Sequence, residues 1–195
     1  MKNLLVDKIY NAVGADALVV TQTDLAFYLT GFESSFGVLI ADGDGSTFLT
    51  DARYLEAAKS RVRSGIAVEE YPRGESLASL LKKYSTIGIS LSKSTASEYL
   101  ALKNAGYEII DCTPAFERAM AVKSPEELNS IKAACIAADS AFTALLPRIK
   151  EGMSENDVAA LLEYLMRQYG ASGTSFSTIC AFGANASVPH HETDN

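Results

Sequence analysis

Histidine is nearly missing from this chain. Of its 195 residues only His190 and His191 are histidines, adjacent to each other beside the C-terminal end, so any imidazole chemistry must sit there. Cysteine is sparse as well. Cys112, Cys135 and Cys180 are odd in number, far apart and form no C-x-x-C pair, which argues against a disulfide framework or a zinc knuckle. No stretch reaches the roughly 18 apolar residues of a membrane span. Charge at Lys2, Asp7 and Lys8 interrupts the N-terminus before a signal-peptide core can form, so a cytoplasmic protein without a membrane partner is expected. Positive charge is in deficit: 17 Lys and Arg against 24 Asp and Glu leave a net charge of −7. Such a field repels phosphate backbones, and nucleic acid is not an expected partner.

Several signatures of chemistry are also lacking. There is no G-x-G-x-x-G dinucleotide fingerprint and no G-x-S-x-G nucleophile elbow. The run Gly88-Ile89-Ser90-Leu91-Ser92-Lys93-Ser94 resembles a phosphate loop, but it lacks the second glycine and sets its lysine too close to the first. Asp42-Gly43-Asp44 opens like a calcium loop, yet Thr47 stands where glycine is needed and Arg53 where glutamate is needed.

What is present is an ordinary globular balance, 48% hydrophobic and 21% charged, which excludes disorder. Short apolar runs at 17–20, 37–40, 47–50, 66–68, 87–89 and 107–110 predict six strands in one sheet. Asp42-Gly43-Asp44-Gly45 lies between two of them and predicts an antiparallel hairpin. Stretches 52–63, 75–84 and 95–105 have helical composition, the last stopped by Gly106. Such alternation of strands and helices predicts an α/β layer architecture: a mixed six-stranded sheet with covering helices over residues 1–122.

The character changes after Val122. Ser124-Pro125-Glu126-Glu127 forms a capping box with proline at the first helical position, and a long helix is expected from there. Leu128, Ile131, Cys135, Ala138, Phe142 and Leu145 fall on one face of that helix, which predicts a buried stripe. Ser154-Glu155-Asn156-Asp157 starts a second helix that Gly170 closes, with Val158, Leu161, Leu162, Leu165 and Tyr169 on one face. The β-branched and aromatic run 176–182 predicts a strand. Two helices and one strand bury little surface alone, so residues 123–195 read as part of a larger domain.

The closing His190-His191-Glu192-Thr193-Asp194 collects three types of metal ligand. In an extended segment neighbouring side chains face opposite ways, so the two histidines are not expected to hold one ion together. Judged alone, this is a solvated chain end.

Asp16-Ala17-Leu18-Val19-Val20-Thr21, Tyr28-Leu29-Thr30-Gly31-Phe32 and Leu49-Thr50-Asp51-Ala52-Arg53-Tyr54 resemble the N-terminal domain shared by creatinase, prolidase and aminopeptidase P. The series continues in order with Val122 to Leu128, Glu151-Gly152-Met153-Ser154-Glu155, Gly170-Ala171, Ser175-Phe176 and Val188-Pro189-His190, so the resemblance covers the whole chain. It implies a Xaa-Pro metallopeptidase: an α/β entrance domain over 1–122, then the start of a "pita-bread" α+β catalytic domain over 123–195. Two divalent ions, manganese or cobalt, are implied in the family, held by two aspartates, a histidine and two glutamates that all follow the Pro-His motif. None of those five positions falls within these residues, so the chain is expected to be a fragment, inactive by itself and binding no metal. A proline-containing peptide is the implied substrate, and a homodimer the implied assembly.

The resemblance assigns one site residue, His190, as catalytic and substrate-binding: a hydrogen-bond donor near the scissile carbonyl. His191 is expected to point away. Tyr28 to Phe32 reads as a packed turn needing its glycine, Asp51 as a helix cap, and Arg53 with Tyr54 as an internal polar network. Two other readings stand beside the peptidase. One is a non-catalytic binding or oligomerisation module of the same fold. The other is a metal-free creatinase, which Met153-Ser154-Glu155 and Val188-Pro189-His190 fit less well.

Overall fold

A computed structural model describes residues 3–194, so Met1, Lys2 and Asn195 lie outside it. The chain divides into two compact units, Met1–Val122 and Lys123–Asn195.

In the first unit the elements run α1 (Leu4–Val13), β1 (Ala17–Val20), α2 (Thr23–Thr30), β2 (Val38–Ala41), β3 (Ser46–Thr50), α3 (Leu55–Arg61), β4 (Ala67–Glu70), α4 (Leu77–Leu80), β5 (Thr86–Ile89), α5 (Ala96–Asn104), β6 (Glu108–Asp111) and α6 (Thr113–Ala121). The strands form one mixed sheet in the order β4-β3-β2-β1-β5-β6. β2 runs antiparallel to both neighbours, and the other pairs are parallel. The hairpin sits where its turn chemistry requires it: the Asp42 carboxylate accepts the N–H groups of Asp44 and Gly45, and the Asp42 N–H donates across to the Gly45 carbonyl.

Alternation along β1 splits the core. Leu18 and Val20 join Val6, Ile9, Leu25, Leu29, Phe48 and Phe116 on one face, while Ala17 and Val19 join Leu81, Ile87, Ile89 and Leu102 on the other. Helices cover both faces, as the parallel pairs require. Gly31 closes α2 in the left-handed region at φ 68°, its N–H donating to the Phe27 carbonyl, so the turn does need its glycine. Asp51 does not cap α3, which starts four residues later. Its carboxylate accepts the Arg53 N–H, pairs with the Arg53 guanidinium, and leaves Tyr54 to bond Ser35.

The second unit holds α7 (Pro125–Leu145), a short 3-10 turn, and α8 (Glu155–Gln168). Both helices begin on complete capping boxes, at Ser124 with Glu127 and at Ser154 with Asp157. Two expectations are corrected here. The stripe on α7 is buried only at its last residue: Leu128, Ile131 and Phe142 are exposed, and α8 meets Leu145 together with Ala141 from beside the stripe. Nor does the run 176–182 form a strand. A strand needs a ladder partner, and the N–H groups of Cys180 and Phe182 go to side chains instead, Thr193 and Glu155.

Candidate functional site

The site is the loop that ends the second unit, and its anchor is the first turn of α8. The Ser154 hydroxyl accepts the Asp157 N–H at 3.1 Å, and the Asp157 carboxylate accepts the Ser154 N–H at 2.9 Å. With the cap made by those two side chains, Glu155 turns inward, where it is 5% exposed. A carboxylate taken from water is costly unless donors surround it. Four do. One oxygen accepts the Phe182 N–H at 2.7 Å and the Asn185 side-chain amide at 3.0 Å. The other accepts His191 Nε2 at 2.6 Å and the Asp194 N–H at 3.1 Å.

The Phe182 N–H, then the Asn185 amide, favour the ionised form. Desolvation opposes them, His191 and the Asp194 N–H add to them, and the carboxyl falls from 4.5 to about 2. An ionised carboxylate only accepts, so the bond assigns the hydrogen of His191 to Nε2.

The chain therefore departs from Glu155 at Phe182 and returns to it at Asp194. Between these ends it is built of turns: Asn185 N–H to the Phe182 carbonyl, Val188 N–H to that of Asn185, and His191 N–H to that of Val188. Thr193 ties the returning strand of the loop to the outgoing one, its hydroxyl donating to the Thr178 carbonyl and accepting the Cys180 N–H. Within the last turn His190 is exposed, whereas the side chain of His191 is 16% exposed and held by Glu155. The two imidazoles do part company, but turn geometry separates them and not strand alternation.

Of the residues singled out by sequence, His190 stands exposed in the last turn of this loop, and His191 beside it is held on Glu155. Glu155 does not stand out in the sequence as a site residue, because its position beside Ser154 reads as one more acidic residue of a first turn. A cleft of about 880 Å³ in the same unit runs between α7 and residues 171–179, lined by Ala133, Ala137, Leu162, Met166 and Phe176, and includes none of the three.

Fold and site together define a two-part α/β chain whose second part offers an exposed imidazole on an anchored loop. Residues 5–121 match the creatinase/prolidase N-terminal domain, and residues 129–195 match metallopeptidase family M24. The chain belongs to the creatinase/prolidase family. It is 32% identical over 190 residues to a protein named uncharacterized peptidase YqhT from Bacillus subtilis, covering 93% of this chain and 53% of that one. It is 30% identical to a Xaa-Pro dipeptidase from Pyrococcus furiosus, covering 90% of this chain and 50% of the relative. Among solved structures, a prolidase from Pyrococcus furiosus superposes with a TM-score of 0.86 at 27% identity, over 97% of this chain and 60% of the other. A Xaa-Pro dipeptidase from Bacillus anthracis gives 0.85 at 28%, over 97% and 56%. The chain thus spans about half the length of the curated relatives it matches.

A metallopeptidase family implies divalent metal ions. Among the described residues no three His, Cys, Asp or Glu side chains come together to hold one. The pair Glu155–His191 does not serve either, since its carboxylate already accepts four N–H groups. The residues described do not fit a metal centre, and none is assigned to one. No helix among them is long and apolar enough to cross a membrane.

Proposed function

We propose that this chain is the entrance domain and the opening of the catalytic domain of a Xaa-Pro metallopeptidase, which hydrolyses the peptide bond preceding proline. The observation that carries the reading is the ordered match of both families across the chain, ending in an anchored loop that presents His190. The metal ligands belong to a downstream half of the kind its relatives possess, and the ions are two, manganese or cobalt. In such a protein His190 donates a hydrogen bond to the substrate carbonyl as charge develops on its oxygen. The chain alone is inactive, and the complete protein is a cytoplasmic homodimer.

The test joins this chain to a downstream half that supplies the five ligands. Proline release from a Xaa-Pro dipeptide is measured against release of the first residue from a Xaa-Pro-Yaa tripeptide. Manganese-dependent cleavage of either supports the reading, and the ratio separates dipeptidase from aminopeptidase. No cleavage of either overturns it in favour of a binding module.

A further inference from the structure

The turn-built loop at 182–194 has no ladder to hold it, and residues 183–190 are all exposed. Neither sheet pairing nor an apolar core fixes His190. What ties both ends of the loop to α8 is one carboxylate, while Thr193 and the Asn156 N–H add bonds at the returning end alone. Glu155 takes N–H groups from both ends of the loop, at Phe182 and Asp194, and between them the ring of the residue next to His190. On the other side of His190, Pro189 has its φ locked by its ring. His190 is thereby bracketed by one residue whose backbone is fixed covalently and one whose side chain is fixed by a charge-assisted hydrogen bond.

We infer that Glu155, acting through His191 and the N–H groups of Phe182 and Asp194, is the positioning residue that sets the place of His190. Its two oxygens are taken up by N–H groups of the chain itself. The positioning rests on the loop geometry, and only its consequence for catalysis rests on the peptidase reading. The reason a charged group is used is geometric: a neutral amide carries two donors of its own and would confront N–H groups where the carboxylate accepts all four.

The test is nuclear magnetic resonance on the 195-residue chain. The native chain should show a slowly exchanging His191 Nε2 proton far downfield. Glu155→Gln should remove it, shift the His190 ring and amide signals toward random-coil positions, and speed amide exchange at Phe182 and Asp194 about tenfold or more. The methyl signals of Leu145 and Leu165, packed between α7 and α8, should stay in place. His190 signals that do not move in Glu155→Gln overturn the inference. Should that variant fail to fold, His191→Gln, which keeps a donor, is compared with His191→Phe, which does not. Recovery of the native His190 signals only with the donor supports positioning, and equal effects of the two overturn it.

In the protein with its downstream half, Glu155→Gln should lower kcat on a Xaa-Pro dipeptide by about tenfold or more while KM changes little. An unchanged kcat with a displaced His190 would count against the role of His190 in the reaction and leave the positioning intact.

Discussion

A Cβ placed on Gly88 would lie 2.5 Å from Val13 Cγ1, well inside contact distance. Gly88 sits in β5 between two paired strands, so its backbone has little room to retreat and the short, β-branched Val13 must give way. Gly88→Ala should therefore destabilise the chain by about 1–3 kcal/mol. Val13→Ala in the same chain should return much of that loss, seen as non-additivity in a urea double-mutant cycle. Strictly additive effects would mean that the two residues do not meet. Glu155 gives a prediction of a different kind. Its carboxyl titrates near 2 when folded against 4.5 for an ordinary glutamate, so the folded chain holds fewer protons between those values. The stabilisation is whole above the ordinary value and is lost as pH falls through the folded one. Urea midpoints of the native chain should exceed those of Glu155→Gln at neutral pH, and the gap should close on acidification below pH 4.5. A gap independent of pH would contradict the assignment. Neither residue is legible from composition. Gly88 reads as a strand residue and Glu155 as a helix-start acid, because a clash or a convergence of donors depends on partners 75 and 36 positions away in sequence.

Helix α7 shows what periodicity tells and what it omits. The spacing of Leu128, Ile131, Cys135, Ala138, Phe142 and Leu145 does mark a helix, and the capping box at Ser124 places its start correctly. The spacing cannot tell which face its neighbour covers. α8 packs on Ala141 and on Leu145, the last residue of the stripe, and the rest of the stripe is left outward. Leu145 is 2% exposed, Leu128 46% and Phe142 55%. Leu145→Ala should therefore cost about 2–5 kcal/mol. Phe142→Ala or Leu128→Ala in this chain should cost less than about 0.5 kcal/mol. A large loss at Phe142, measured by denaturant unfolding, would mean that something covers this face in solution. Strand propensity over 176–182 misleads for a related reason: extended residues need a partner edge, and here side chains of Glu155 and Thr193 take the N–H groups a ladder would use. In the first unit, where every strand finds a neighbour, six apolar runs become six strands and the Asp42–Gly45 turn becomes the β2–β3 hairpin.

At the scale of the whole chain, two units carry different amounts of information. The first has apolar residues on both faces of its sheet and helices over each, which is why its architecture follows from the order of its runs. The second buries a small cluster around Ala141, Leu145, Val158 and Leu165 and ends in the polar loop that Glu155 anchors. Its chemistry is legible only through motifs, since one exposed histidine and one anchored histidine say nothing alone about proline. The central claim is that this half presents His190 while the ions are gripped elsewhere. Calorimetric titration of the 195-residue chain with manganese tests it most directly. The account predicts no tight uptake, because the described carboxylates and imidazoles do not converge in any group of three. Tight binding of two manganese equivalents by this chain, with cleavage of a proline dipeptide, would contradict it.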